Sequence, residues 1–295
     1  MKHPRLFAFS RFLSLLPTLI LVSTVSHAGK LPVSEEFPRV ETTNEDLICI
    51  QECLRENQQA AVGYEELERR CRQDCEVTRA LRLMGSNDPE EYTEGVRILC
   101  DSDDRRALEP LIAALRRDLQ ERTGWWAQII PALGALRNSA AIPVLTETLE
   151  IPDEDWLGRE MSARALGDIG DPSVIPVLTA AAWRGDTHND AVIALAQIYD
   201  SRVVPVLVSA LDPEEDPEVR EAAMQGLRRL GSLAVPELVE ALEEYSPEHP
   251  GKELRVWICR LLGEGGTPEA TEALQAHRSD PDPDVARCAA HFTGD

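Results

Sequence analysis

The sequence predicts an all-α fold, a solenoid of stacked helix pairs, and three observations carry that prediction. Leu111, Leu145, Leu178, Leu207 and Leu238 recur at spacings of 34, 33, 29 and 31 residues, within the period range of helical repeats. Four of these leucines follow a proline by two residues: Pro143, Pro176, Pro205 and Pro236. Matching strings close the units, at Leu133-Gly134, Leu166 to Gly170, Leu227 to Gly231, and Leu262 to Gly265. Arg202 to Gly231 shows one unit in full. Val203, Val204, Val206, Leu207 and Leu211 give the first helix an apolar face. Asp216 caps the second helix, and Pro217 suits its first turn, where a missing N–H is harmless. Val219, Ala222, Ala223, Gly226, Leu227 and Leu230 then recur at helical spacing. Such a pair cannot bury its apolar face alone and needs a copy on each side.

Taken in order, residues 1–28 read as a signal peptide. Lys2, Arg5 and Arg11 precede the apolar run Leu13 to Val25, and Ser26-His27-Ala28 offers small residues for cleavage. The competing reading is a membrane anchor, but the run holds Pro17 and is short for a span of about 20 residues. No cysteine follows the cleavage point, which argues against a lipoprotein. Residues 29–43, with Pro32, Pro38 and several acids, form a flexible leader.

Residues 44–86 carry two C-x3-C pairs, Cys49/Cys53 and Cys71/Cys75. Spacing of four puts both thiols of a pair on one helix side. Thr43 and Asp46 suggest a capping box, and Gly63 marks a turn. Both outer and inner cysteines are centred on position 62, so an antiparallel hairpin sets Cys49 opposite Cys75 and Cys53 opposite Cys71. Export would make these disulfides; the alternative is a four-cysteine metal site, which the spacing alone allows. The segment resembles twin C-x3-C helical hairpins. Residues 87–104 begin at Asp88-Pro89 and supply a capping half-repeat ending near Cys100, a small buried or semi-buried thiol.

Residues 105–295 hold five to six pairs: 105–117 with 124–136, 140–149 with 155–169, 172–182 with 187–199, 201–211 with 217–230, 232–244 with 252–263, and 267–278 with 282–292. A proline at one fixed place predicts a reproducible mid-helix kink. The last unit departs, with Ala273 at the core leucine position, His277 at another apolar position and Phe292 near the end, and reads as a cap. These units resemble HEAT repeats, and within them the short type of phycobilin lyases. The resemblance rests on the proline, on Asp-Pro before the second helix, and on Val219-Arg220, Ala222-Ala223 and Leu227. It covers about two thirds of the chain. It implies a right-handed α-α superhelix of HEAT/armadillo type, preceded by the disulfide-braced hairpin, and it implies binding in general.

The net charge is −22, and removal of residues 1–28 would take it to −25. Phosphate backbones and anionic lipid surfaces should repel such a chain, so nucleic acid is disfavoured and a basic partner favoured. No phosphate loop, no G-x-S-x-G and no His-Glu pair occurs, and His188, His249, His277 and His291 are not spaced as H-x3-H. No catalytic residue, cofactor or metal site is assigned. Acidic clusters fall in the turns: Asp153-Glu154-Asp155, Asp212 with Glu214-Glu215-Asp216, and Asp280-Asp282-Asp284. Helix capping explains them, against a calcium or basic-protein edge. Arg159, Arg220 and Arg255 share one place in three second helices and should pair with turn aspartates of neighbouring repeats as a ladder. Cys259 and Cys288 sit on neighbouring second helices, where a third bridge competes with free thiols.

Second helices usually line the inner wall of such arrays. Trp126, Ile130, Glu160, Arg164, Ile193, Met224, Gln225 and Arg260 are expected to face it and to take a peptide or helix of another protein; the alternative is that Trp126 and Ile130 only close the first inter-repeat gap. The function expected is an exported, non-catalytic scaffold or adaptor, periplasmic or secreted. Its alternatives are a lyase or chaperone-like factor for a cofactor-bearing protein, and a cation-dependent adhesion module.

Overall fold

A computed structural model of the chain describes residues 44–58, 62–151, 156–244 and 252–294. The expected signal peptide, the leader, the Thr43 cap, the cluster Asp153-Glu154-Asp155 and His249 lie outside the described residues. The described residues form fifteen α-helices and short 3-10 turns, with no strand among them.

The hairpin is α1 (Asn44–Glu56) and α2 (Tyr64–Met84). Cys49 bridges Cys75 with Cα atoms 5.9 Å apart, and Cys53 bridges Cys71 at 5.6 Å. Bonding uses up all four thiols, so the metal alternative falls. Ile50, Cys71 and Cys75 make a small core of their own, and Arg79 and Arg82 reach back to Asp46 (3.4 Å) and Glu45 (2.8 Å). So few apolar contacts leave the bridges to hold the element. Cys53→Ser/Cys71→Ser is expected to destabilise the hairpin by about 2–4 kcal/mol. Amide exchange of α1 against α7 checks this: α1 should lose protection and α7 should keep it.

The helix α3 (Pro89–Cys100) starts as expected, with Asp88 accepting from the Glu90 N–H at 2.8 Å. It is not a half-repeat. Gly95 has no side chain to hold it off α2: a Cβ there would lie 2.8 Å from the Ala80 carbonyl oxygen. Val77 and Ala80 of α2 belong to the main core. So α2 serves both the hairpin and a first pair with α3. Cys100 is free and half-buried, and burial with Asp101 beside it pushes its thiol up to about 12, as suits an inert packing residue.

Six pairs follow: α4 (Leu108–Glu121) with α5 (Trp126–Ala135), α6 (Ile142–Leu149) with α7 (Trp156–Ile169), α8 (Ile175–Ala182) with α9 (His188–Gln197), α10 (Val204–Ser209) with α11 (Pro217–Leu230), α12 (Val235–Glu244) with α13 (Lys252–Gly265), and α14 (Pro268–Ala276) with α15 (Pro283–Thr293). The repeated prolines do not kink helix interiors. Pro143, Pro176, Pro205 and Pro236 are each the second residue of an α-helix that follows a 3-10 turn. Proline cannot give the N–H that would join turn and helix, so the break falls there. Asn138, Asp171 and Asp200 cap the turns, each accepting an N–H two residues on at 2.9–3.0 Å. In the last unit the core leucine is Leu274, buried; its neighbour Ala273 is only partly covered.

Successive second helices, with α3 at the start, stack side by side through small residues. A Cβ on Gly134 would lie 2.9 Å from the Ala165 Cα, and one on Gly167 would lie 2.7 Å from the Ala194 Cα. At the far end Gly263 accommodates the Phe292 ring, and Cys259 bridges Cys288, Cα to Cα 6.4 Å.

Candidate functional site

The second-helix wall is ordered by one register. Aligned on the buried leucines Leu133, Leu166, Leu195, Leu227 and Leu262, the residues two places earlier are Pro131, Arg164, Ile193, Gln225 and Arg260. Four are exposed and Ile193 is partly so. Residues three places earlier, Ile130, Ala163, Val192, Met224 and Cys259, are all buried. Ile130 (0% exposed) and Met224 (8%) therefore do not face the wall's surface. One residue turns a helix by about 100°, and that step carries both side chains into the core. Ile130 closes the inter-repeat gap.

Seven places before the leucines stand Trp126, Arg159, His188, Arg220 and Arg255. Arg159 donates to its own turn at the Ile151 carbonyl (3.1 Å) and pairs with Asp186 of the next turn. Arg255 donates to the Leu242 carbonyl (3.3 Å) and makes a forked pair with Asp280 at 2.7 and 2.8 Å. The expected ladder holds at these two rungs. Arg220 instead reaches the carbonyls of Asp212, Pro213 and Glu215 in its own turn. The sequence reading missed His188, which shares the register: it bonds the Ala182 carbonyl oxygen and lies 3.0 Å from Glu215.

Asp118 is buried and holds the start of α5, accepting the N–H groups of Trp125 and Trp126 at 3.0 Å and the Thr123 hydroxyl. That sets Trp126, half-buried, over a cavity of about 240 Å³ lined also by Thr148 and Gly158. One repeat on, Arg164 pairs with buried Asp190, which raises the guanidinium pKa. Glu160 beside them is raised from its ordinary value, by burial first and then by the Asp190 charge, with Arg164 opposing. Gln225 is tied to Glu221 at 2.9 Å. Arg260 lies with its Cζ 5.0 Å over the Trp257 ring. The wall thus brings Glu160 and Arg164 together and leaves Trp126 and Arg260 as separate features.

The acidic turns are caps. Asp212, Asp216, Asp280 and Asp282 each accept an N–H two residues on, at 2.8–2.9 Å. Among the described residues no group of His, Cys, Asp and Glu is placed to hold a metal ion. Burial would raise Asp280, but Arg255, the Asp282 N–H and His277 outweigh it and hold it low. Arg202 and its own N–H take Asp200 to about 2. Depressed carboxylates stabilise the fold above the ordinary value of 3.8, and that contribution is lost as pH falls through the lowered values. The melting temperature should therefore drop from about pH 4 toward about pH 2, and drop less in Asp280→Asn, as thermal scans at both ends would read.

Residues 126–189 and 187–248 match the HEAT repeats family. Phycocyanobilin lyase subunit beta of Thermosynechococcus vestitus is 34% identical over 107 residues, covering 36% of this chain and 47% of that protein. Bilin biosynthesis protein PecE of Mastigocladus laminosus is 34% identical over 151 residues, 48% of this chain and 54% of that protein. Phycocyanobilin lyase subunit alpha of Picosynechococcus sp. is 33% identical over 159 residues, 47% and 58%. The chain spans about half the length of the curated relatives it matches. Two lyase subunits and a bilin biosynthesis protein overturn the expectation of a non-catalytic scaffold or adhesion module, and they favour the lyase or chaperone-like alternative. Residues 126–248 of the chain are HEAT repeats, and part of the chain is similar in sequence to phycobilin lyase subunits.

Proposed function

We propose that this chain is an accessory lyase or chaperone-like factor for a cofactor-bearing protein. The observation that carries the reading is its 33–34% identity to two phycocyanobilin lyase subunits and a bilin biosynthesis protein. Relatives named as subunits support a second chain as working partner. The outward row offers Arg164 and Arg260 to an acceptor or its prosthetic group, with the Glu160 carboxyl beside Arg164. A net charge of −22 favours a basic segment on the acceptor and disfavours nucleic acid.

Export to the periplasm or beyond is part of the proposal. The pattern of residues 1–28 supports it, as do three disulfides, which persist in oxidising compartments. No described helix is long and apolar enough to cross a membrane. The immobilised chain, incubated with native extract, should retain a protein that carries, or is the precursor form of one that carries, a covalent chromophore. Mass spectrometry of the retained proteins decides it: a set in which no protein bears a prosthetic group contradicts the reading.

A further inference from the structure

The last helix pair is closed by a bridge whose two sulfurs have different surroundings. Cys259 of α13 is 0% exposed. Cys288 of α15 is partly exposed and lines an open groove of about 750 Å³, together with Trp257 and Phe292. Three acids and three basic side chains also line that groove, so it admits thiols of either charge. A thiol arriving from solution therefore meets Cys288, and Cys259 is the leaving group.

The pair has little else to hold it. The buried apolar side chains of α14 and α15 are Ala270, Leu274, Val285 and Ala289, whereas α13 alone buries Leu254, Ile258, Leu261 and Leu262. The Arg255–Asp280 fork, at 2.7 and 2.8 Å, pins the turn before α15. Near the other end Gly263 receives the Phe292 ring. The bridge lies between those two points. Without it α15 stays anchored at its start, while its last turns rest on Ala289 and one ring. The hairpin bridges also join a buried sulfur to a partly exposed one, but there are two of them. Cutting either leaves the other to hold its thiols close, so it recloses. Cys259–Cys288 has no such backup.

We infer that Cys259–Cys288 is a redox clasp on the last helix pair, opened at Cys288 by a dithiol. The inference does not depend on the handling of a chromophore. One thiolate of the dithiol attacks Cys288 Sγ and forms a mixed disulfide. The Cys288–Cys259 bond breaks, and Cys259 leaves and takes a proton. Its sulfur lies 3.9 Å from the Val285 carbonyl oxygen, an acceptor for the new S–H. The second thiolate of the dithiol then attacks its own sulfur in the mixed disulfide, and Cys288 leaves as a thiol. Two electrons and two protons pass to the bridge, and the dithiol becomes a disulfide. The opened clasp frees the end of α15 and dismantles the groove that Trp257 and Phe292 share. Exchange with a disulfide runs the same steps backward and closes it.

The test treats the oxidised full chain with limiting dithiothreitol in native buffer, then alkylates it under denaturing conditions for mass spectrometry. Cys259 and Cys288 should be labelled about tenfold faster than the four hairpin cysteines. Amide exchange of α15 should rise about tenfold or more on reduction, with α7 unchanged. Two variants fix the point of attack. In Cys100→Ser/Cys259→Ser, Cys288 should take up glutathione from glutathione disulfide; in Cys100→Ser/Cys288→Ser, buried Cys259 should not. Circular dichroism checks that both keep the wild-type helix content, and the wild-type measurements stand whether or not the variants fold. Hairpin bridges that open first or together with this one would overturn the clasp. So would equal uptake by the two folded variants, or a reduced bridge that leaves the exchange of α15 unchanged.

Discussion

Replacing Arg255 with methionine is expected to destabilise the protein by about 3–5 kcal/mol, the cost of removing one partner of a buried ion pair. The side chains of Arg255 and Asp280 are 5% and 3% exposed. Arg255 also donates to the Leu242 carbonyl, at the end of the preceding first helix. The substitution therefore strands a carboxylate and a carbonyl oxygen together, and it severs a link between two repeats. His277, 3.9 Å from Asp280, is too distant to replace the fork. In a thermal scan this should appear as a fall of roughly 10 °C. The double variant Arg255→Met/Asp280→Leu should recover a large part of it, because the penalty lies in the unpaired charge more than in the lost pair. A single variant that melts within a degree of wild type would show that this rung bears no load.

Gly167→Ala is expected to destabilise, although in an open helix the same change stabilises by about 1 kcal/mol. The added Cβ would sit 2.7 Å from both the Cα and Cβ of Ala194 on the next second helix. Neither atom can rotate away, so the helices must separate, at about 1–3 kcal/mol or more for overpacking. Gly265→Ala is the control. It lies at the end of α13 with nothing within 4 Å of a new Cβ and should be neutral or stabilising. Opposite signs at the two positions, read from urea midpoints, would show that close approach of second helices fixes the stacking. Equal signs would contradict it.

Much of this fold was legible in the sequence because its causes are local. The helix pairs follow from apolar spacing, and Asp88 and Asp216 cap where their positions said they would. The two hairpin disulfides followed from a symmetry about position 62 that only an antiparallel pair satisfies. The errors have a common physical form. Ile130 and Met224 were one residue off the outward row, and a one-residue error in a helix exchanges core for surface. The prolines were read as kinks because sequence shows where an N–H is missing and not whether a 3-10 turn precedes it. His188 escaped because its unit is shorter and its side chain differs from arginine, yet its register was readable from Leu195. Pro131, inside α5, carried no repeat signal. The function was least legible. Trp257 and Phe292 share a groove only because α13 and α15 pack, and a wall of mixed charge does not distinguish a scaffold from a lyase subunit.

The direct measurement is the covalent chromophore content of the native organism's proteins with and without this chain. Deleting its gene should leave at least one chromoprotein unloaded, seen as lost visible absorption with the polypeptide still present, and restored by the wild-type gene. Unchanged loading of every chromoprotein in the deletion strain would contradict a role in cofactor attachment.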